Sequence, residues 1–108
     1  MADNPFNIPE TELTVTTDLP ASHYARIRCA GEIDGLTAPL LADAIDAAIT
    51  PTRTRIEVDL REVTFVDSSG INTLVRARSD RYQLALVEVP PHIRRLFEIT
   101  GLAEIFLL

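Results

Sequence analysis

An aspartate, two serines and a glycine stand together near the middle of the sequence, where they could form a site for a phosphate. Residues 63–71 read Val-Thr-Phe-Val-Asp-Ser-Ser-Gly-Ile, so an apolar run leads into the polar tetrad. We predict that a strand enters the tetrad and that a helix leaves it. Ser68 would then lie at a helix N-terminus, where N–H groups and the macrodipole favour a phosphate. Taken alone, the tetrad fits an ordinary cap and turn better.

A second acidic stretch, Gly-Glu-Ile-Asp at residues 31–34, follows an earlier predicted strand. In an open α/β sheet, ligands and partners meet the chain at the carboxyl ends of the strands. If the two strands are neighbours, Asp34 and the turn at Asp67 lie at the same end of the sheet. Leu36 and Ile71 are expected to be exposed beside them, which predicts a docking surface. Taken alone, Asp34 fits a carboxylate in a solvated loop.

The elements that must position these loops follow from the spacing of apolar residues. Strands are predicted at residues 13–17, 24–30, 55–60 continuing through 63–66, 83–89 and 105–108. Pro20 predicts a turn at residues 18–23, and residues 31–35 are predicted to form a loop. Residues 83–89 are almost continuously apolar, as expected of a strand that is covered on both faces.

Helical spacing predicts a helix after the second strand and after each of the next two. The first begins at Thr37 with Pro39 in its first turn. Its apolar face consists of Leu41, Ala44, Ile45, Ala48 and Ile49. The second begins at the tetrad and directs Ile71, Leu74 and Val75 to the core, although Ile71 is also a candidate for the docking surface. The third runs from Pro91 to a cap at Gly101.

The resulting order, β-β-α-β-α-β-α-β, predicts an α/β fold with a mixed, largely parallel sheet and helices packed on it. A chain of 108 residues has room for one domain. We assign residues 1–10 to a loose N-terminal arm and residues 11–108 to the domain.

Composition narrows the classes of function. The formal net charge is −6, and the ten basic residues are scattered arginines, which disfavours nucleic acid or an anionic membrane as a partner. No glycine-rich phosphate loop occurs, so no cofactor is expected. Neither histidine has a partner at metal-ligand spacing, so no metal site is expected.

The single cysteine, Cys29, alternates with apolar neighbours and is expected to be a buried small hydrophobe. It can form no disulfide within the chain, which fits a reducing compartment. The sequence shows neither a signal peptide nor a membrane span, and we expect a cytoplasmic location.

Several motifs in register resemble the STAS domain of bacterial anti-sigma-factor antagonists. They are Gly-Glu-Ile-Asp at 31–34, Ile-Glu-Val-Asp-Leu at 56–60, Phe-Val-Asp-Ser-Ser-Gly-Ile at 65–71 and Pro-His-Ile-Arg-Arg-Leu-Phe-Glu-Ile-Thr-Gly-Leu at 91–102. The similarity covers nearly the whole chain after the arm and implies a single STAS-like domain.

The resemblance implies a phosphorylation switch. Ser68 would be the phosphoacceptor, Ser69 its supporting neighbour, and Asp34 a contact for the partner. That partner would be an anti-sigma factor with serine-kinase activity, which the unphosphorylated protein binds so that the sigma factor is released. Phosphorylation would end this binding, and a serine phosphatase would restore it. The predicted docking surface comprises Glu32, Asp34, Leu36, Asp67, Ser69, Gly70 and Ile71.

Two other interpretations compete with this one. The domain could be an unphosphorylated adaptor subunit of a transporter ATPase or a stress-signalling complex, with Ser68 acting only as a cap residue. It could also be a serine hydrolase. That interpretation is disfavoured because the sequence lacks a Gly-x-Ser-x-Gly elbow and neither histidine lies in a motif. We therefore predict a binding protein and not an enzyme.

Overall fold

The computed structural model describes residues 12–108. The arm predicted at residues 1–10 and the first residue of the predicted domain lie outside this range. The strands are β1 (Leu13–Ala21), β2 (Tyr24–Ile33), β3 (Arg55–Val66) and β4 (Gln83–Val87), and the helices are α1 (Ala38–Ala48), α2 (Ser68–Arg76) and α3 (Pro91–Ile99). A short 3₁₀ helix, Glu104–Phe106, follows α3.

The strands form one mixed sheet in the order β1-β2-β3-β4. β1 and β2 form an antiparallel hairpin, while β2 with β3 and β3 with β4 pair in parallel. Each parallel connection passes through one helix, α1 or α2, because parallel neighbours need a crossover connection. The predicted α/β class and its mixed, largely parallel sheet are confirmed.

The core lies between one face of the sheet and the apolar sides of the helices. In β3, Ile56, Val58 and Leu60 are fully buried, as their alternation predicts. The predicted apolar face of α1 is confirmed, since Leu41 and Ile45 are buried against the sheet. Burying a side chain of this size contributes roughly 1.5–3 kcal/mol.

The opposite face of the sheet carries a network of charged side chains. Arg26 of β2 donates to Asp59 of β3 at 2.9 Å and lies 3.7 Å from Glu57. The Tyr24 hydroxyl donates to Glu57, and this hydrogen bond raises the pKa of Tyr24. Asp59, which alternation places toward solvent, is therefore buried within an ion-paired network.

β1 is longer than predicted. It continues through Pro20 to Ala21, and the turn lies at residues 22–23 instead of at 18–23. Proline is compatible with this position because β1 is an edge strand, where an N–H can face away from the sheet. The pairing with β2 is irregular between Asp18 and Ala21, which accommodates the proline.

β2 also extends through residues 31–33, which the sequence placed in a loop. Ile33 is fully buried and pairs with Val66, so burial of this side chain keeps the strand in the sheet. At Gly31 the backbone φ is +116°, and a Cβ there would lie 2.2 Å from the Glu12 carbonyl oxygen. Glycine thus allows β1 to approach β2 closely beside the loop that contains Asp34.

The strand predicted at residues 105–108 is wrong. The buried Phe106 ring packs edge-to-face on Phe97, with ring centroids 5.5 Å apart. The Leu107 N–H donates to the Glu104 carbonyl at 3.0 Å, so the backbone closes on itself and leaves β4 without this neighbour. Leu107 then adopts a left-handed conformation, with φ of +59°.

β4 is shorter and more open than predicted. It ends at Val87 because Glu88 turns into the left-handed region, with φ of +53°. Among residues 12–108, β4 has a neighbouring strand on one side only. Leu84 and Leu86 are buried, whereas Ala85 and Val87 on the other face are half-buried. The expectation of a strand covered on both faces is therefore wrong.

Candidate docking and modification site

The two acidic loops meet at the carboxyl ends of β2 and β3. Phe65 pairs with Glu32 in the parallel ladder. Beyond the ladder, the Asp67 N–H donates to the Ile33 carbonyl at 3.1 Å. A Cβ built on Gly35 would lie 3.6 Å from the Ser69 hydroxyl oxygen, so the loops are in contact. The predicted proximity of the two loops is confirmed.

Asp67 caps α2. One carboxylate oxygen, Oδ1, accepts from the N–H groups of Ser69 at 2.8 Å and Gly70 at 3.2 Å. The Asp67 carbonyl accepts the N–H of Ile71 at 3.1 Å, which begins the helical pattern. A cap of this kind stabilises a helix by about 0.5–2 kcal/mol. Asp67 therefore shapes the turn, and it occupies two N–H donors that a phosphate would otherwise reach.

Ser68 is exposed at the first position of α2. Ser69 is half-buried, and its carbonyl accepts a hydrogen bond from the Thr73 hydroxyl at 3.0 Å. The two adjacent serines thus differ in access. Ser68 is therefore exposed on a short turn whose backbone is held by hydrogen bonds.

Asp34 organises the other loop in the same manner. Its Oδ1 accepts from the N–H groups of Leu36 at 2.9 Å and Thr37 at 3.0 Å. Such a turn holds the chain without help from a partner. The half-buried carboxylate therefore has a structural role that the sequence did not identify. Glu32 is also half-buried, and its N–H donates to the Glu12 carbonyl at 3.1 Å.

Thr37 is a residue of this site that the sequence analysis assigned only to helix capping. It stands at the N-cap position of α1, but its hydroxyl makes no cap hydrogen bond. The hydroxyl instead donates to the Glu32 carbonyl at 2.8 Å and accepts from the Asp34 N–H at 2.9 Å. The spacing of Asp34 and Thr37, three residues apart before a helix, was the available signal.

Gly70 and Ile71 are buried and pack the start of α2 against the sheet. A Cβ on Gly70 would lie 2.8 Å from Ile33 Cγ2 and 2.8 Å from Val66 Cγ1, so glycine lets α2 begin directly against the strand ends. Ile71 was predicted to be exposed, but it is only 7% exposed. The helical spacing that directs Ile71 to the core is confirmed, and the assignment of Ile71 to an exposed docking surface is wrong.

Exposed apolar side chains lie at this end of the sheet. Leu36 is 87% exposed and Phe65 is 46% exposed. Phe65 was not predicted as a site residue. Alternation could not have found it, because Val63 and Val66 are both buried and the two residues between them are exposed. These side chains and the Ser68 hydroxyl are thus all exposed at the end of the sheet where the two loops meet, as a docking site for a protein partner would require.

Two further reactive side chains, those of Cys29 and His92, lie outside the two acidic loops. Cys29 is buried as expected, and burial together with the charge of Asp59 raises the pKa of its thiol to about 12. His92 Nε2 lies 3.0 Å from the Thr64 carbonyl oxygen. Within residues 12–108, no three His, Cys, Asp or Glu side chains cluster as metal ligands would. No helix in the same range is long and apolar enough to cross a membrane.

Comparison with known proteins places the sequence and fold among relatives. The family described as "Mlab, STAS domain" matches residues 18–108. An "Anti-sigma-B factor antagonist" of Listeria monocytogenes is 38% identical over 80 residues, which cover 70% of this chain and 70% of that protein.

Solved structures show the same fold. An anti-sigma factor antagonist from Mycobacterium paratuberculosis matches with a TM-score of 0.78 and 27% identity, covering 91% of this chain and 86% of that one. The anti-sigma factor antagonist SpoIIAA in its unphosphorylated form matches with a TM-score of 0.71 and 23% identity, covering 84% of each chain. The latter likeness is one of fold.

Proposed function

The chain belongs to the STAS domain family, and from this premise we propose that it is an anti-sigma-factor antagonist controlled by phosphorylation of Ser68. The unphosphorylated protein binds an anti-sigma factor that is also a serine kinase, and the sigma factor is released. A serine phosphatase reverses the modification. The role is one of binding, and its place is the cytoplasm.

The observation that carries the proposal is the exposed Ser68 on a turn that its neighbours hold in shape. Asp67 fixes the backbone on one side through two hydrogen bonds, and Gly70 packs α2 against the strand ends. A kinase can therefore reach the hydroxyl without unfolding the domain. The exposed Leu36 in the adjoining loop supplies an apolar contact for the same partner.

Charge supports the direction of the switch. A phosphoserine adds roughly −1.5 to −2 charges. At Ser68 this charge would lie next to the Asp67 carboxylate, which already holds the N–H groups of Ser69 and Gly70. The phosphate would therefore gain little from those donors, and its charge would face the docked partner.

The size of the effect is sufficient for a switch. An unpaired charge buried in an interface costs about 2–5 kcal/mol. At about 1.4 kcal/mol per tenfold, this lowers affinity roughly 30-fold to several thousand-fold. Modification of one side chain can thus change the partner's occupancy without changing the fold.

The test is to recover the protein from its host with phosphatase inhibitors present and to map phosphate by peptide mass spectrometry. Pull-downs would compare the wild type with Ser68→Ala, Ser68→Asp and the control Ser22→Asp. Ser22 is an exposed serine in the turn at the other end of β2, so it matches the charge change but not the position. We expect phosphate on Ser68 and loss of a kinase partner from Ser68→Asp alone.

The competing function is that of an adaptor subunit in a transporter ATPase or a stress-signalling complex. The observation that favours it is the cap itself, since Asp67 holds the turn whether or not Ser68 is modified. In that case Ser68 would carry no phosphate, and all variants would retain the same transporter or scaffold partner. That result would overturn the proposed switch.

A further inference from the structure

The two edges of the sheet are protected to different degrees. β1 carries Pro20, the charged Asp18 and an irregular pairing between Asp18 and Ala21. Proline, charge and irregularity are the devices by which edge strands avoid pairing with other chains. β4 reads Gln-Leu-Ala-Leu-Val, with neither charge nor proline, and no irregularity interrupts its pairing with β3. Within residues 12–108, β4 is therefore the open edge.

The backbone groups of β4 that face away from β3 can be identified. The Gln83 N–H donates to the Thr54 carbonyl at 2.8 Å, so the backbone N–H and C=O of Gln83 point toward β3. The direction of these backbone groups alternates along a strand, so the N–H and C=O groups of Ala85 and Val87 point toward β3 as well. Leu84 and Leu86 consequently present their N–H and C=O groups to the open side.

This pattern is symmetric about Ala85, and we propose that β4 pairs antiparallel with β4 of a second copy of the chain. Leu84 of one copy then faces Leu86 of the other in two hydrogen-bonded pairs, and Ala85 faces Ala85. Of the registers that the outward groups permit, this one pairs every residue of β4. The sheets of the two copies join into one, with the helices of both copies on the same side.

The surroundings of β4 are also self-complementary. Beside the strand, a groove of about 220 Å³ is lined by β4, Arg55 and residues 105–107. Leu107 is 82% exposed at its rim, so each copy brings both a groove and an apolar side chain that can enter the groove of the other, as a two-fold interface requires.

Charges at the ends of β4 favour the same arrangement. Arg81 precedes the strand and Glu88 follows it, and both are exposed. Neither forms a salt bridge with another of residues 12–108. Antiparallel pairing brings Arg81 of one copy to the end of β4 that carries Glu88 in the other. A parallel arrangement would instead place like charges together.

Disulfide trapping tests the register. In the proposed pairing the two Ala85 Cα atoms lie about 4.5 Å apart, within the range that a disulfide bridges. Ala85→Cys should therefore give a covalent dimer under mild oxidation. The matched control is Gln83→Cys on the same face, because two copies of residue 83 would be about 13 Å apart. Equal trapping of the two variants would overturn the register.

Sedimentation of the full chain tests the interface itself. We expect a monomer–dimer equilibrium that Leu107→Asp weakens at least about tenfold, through loss of apolar burial and repulsion of like charges. Leu36→Asp is the control, since Leu36 is as exposed as Leu107 but lies in the Asp34 loop, away from β4 in the sheet. A wild-type chain that stays monomeric, or a dimer weakened by Leu36→Asp alone, would refute the proposal.

Discussion

The loops that begin α1 and α2 share one hydrogen-bond pattern but expose different kinds of side chain. In each, one aspartate Oδ1 accepts two backbone N–H groups, from Leu36 and Thr37 in the first and from Ser69 and Gly70 in the second. The first loop exposes its apolar residue and buries its hydroxyl, since Thr37 is only 5% exposed. The second exposes the hydroxyl of Ser68 and buries Ile71.

This difference divides the work between the loops. In the proposed switch, a kinase would meet one accessible hydroxyl and not two, and a partner would meet the apolar Leu36 beside it. The carboxylates, which the sequence suggested as direct contacts, hold both loops in shape from within. Changes to each loop should therefore separate stability from binding.

The largest effect is expected where α2 meets the strand ends. Gly70→Ala places a Cβ 2.8 Å from the side chains of Ile33 and Val66. We expect the free energy of unfolding to fall by up to about 3 kcal/mol, measured by urea denaturation. Gly35→Ala is the control in the other loop, because its Cβ would make an ordinary contact at 3.6 Å with Ser69. Equal losses for both variants would contradict the tight packing at Gly70.

A somewhat smaller loss is expected in the first loop. Thr37→Val keeps the shape of the side chain but removes a hydroxyl that bonds the Glu32 carbonyl and the Asp34 N–H. Leaving such buried groups unsatisfied should cost about 2 kcal/mol in thermal or urea unfolding. Thr52→Val, at an exposed position, should be nearly neutral. A neutral Thr37→Val would show that the loop does not depend on this hydroxyl.

The cap of α2 should contribute less. Asp67→Ala should lower the free energy of unfolding by about 1 kcal/mol, because Ser69 and Gly70 lose the acceptor of their N–H groups. Asp67→Asn retains an oxygen at the same place and should recover most of the loss. If asparagine proves as destabilising as alanine, the charge and not the cap geometry matters.

The smallest effect on folding is expected at Ser68 itself. The side chain is exposed, so Ser68→Asp should change the free energy of unfolding by less than about 0.5 kcal/mol. Circular dichroism during urea titration would measure this for the same variant that is used in pull-downs. A large destabilisation would mean that a charge at Ser68 acts through the fold and not on the interface.

Periodicity and motif order were sufficient to predict the α/β class, the apolar face of α1 and the meeting of the two loops. Helical spacing directed Ile71 to the core, whereas its place beside the tetrad suggested exposure. The way in which α2 lies against the sheet decides for the core. Residues 105–108 carry an apolar pattern that also fits a strand. Packing of Phe106 on Phe97 favours the 3₁₀ helix instead. Because this contact joins two separate elements, the local sequence could not predict it.

The role of Thr37 was missed for a related reason. A threonine before a helix is ordinarily a cap. The spacing of Asp34 and Thr37 signals a contact between these two residues, but it does not indicate that the Thr37 hydroxyl also bonds the Glu32 carbonyl. The extension of β2 to Ile33 likewise depends on pairing with Val66 in a distant part of the chain. Long-range pairing therefore set the details that local propensity left open.

The order of the strands has a consequence for synthesis on the ribosome. Spatial order equals chain order, so each strand pairs with the one made just before it. Contacts between elements close in sequence favour rapid folding, and a single domain folds as one unit. We therefore expect folding to wait until β4 has left the ribosome, because an isolated β1–β2 hairpin would be marginally stable. Folding should then be rapid, since no strand has to find a partner across the whole chain.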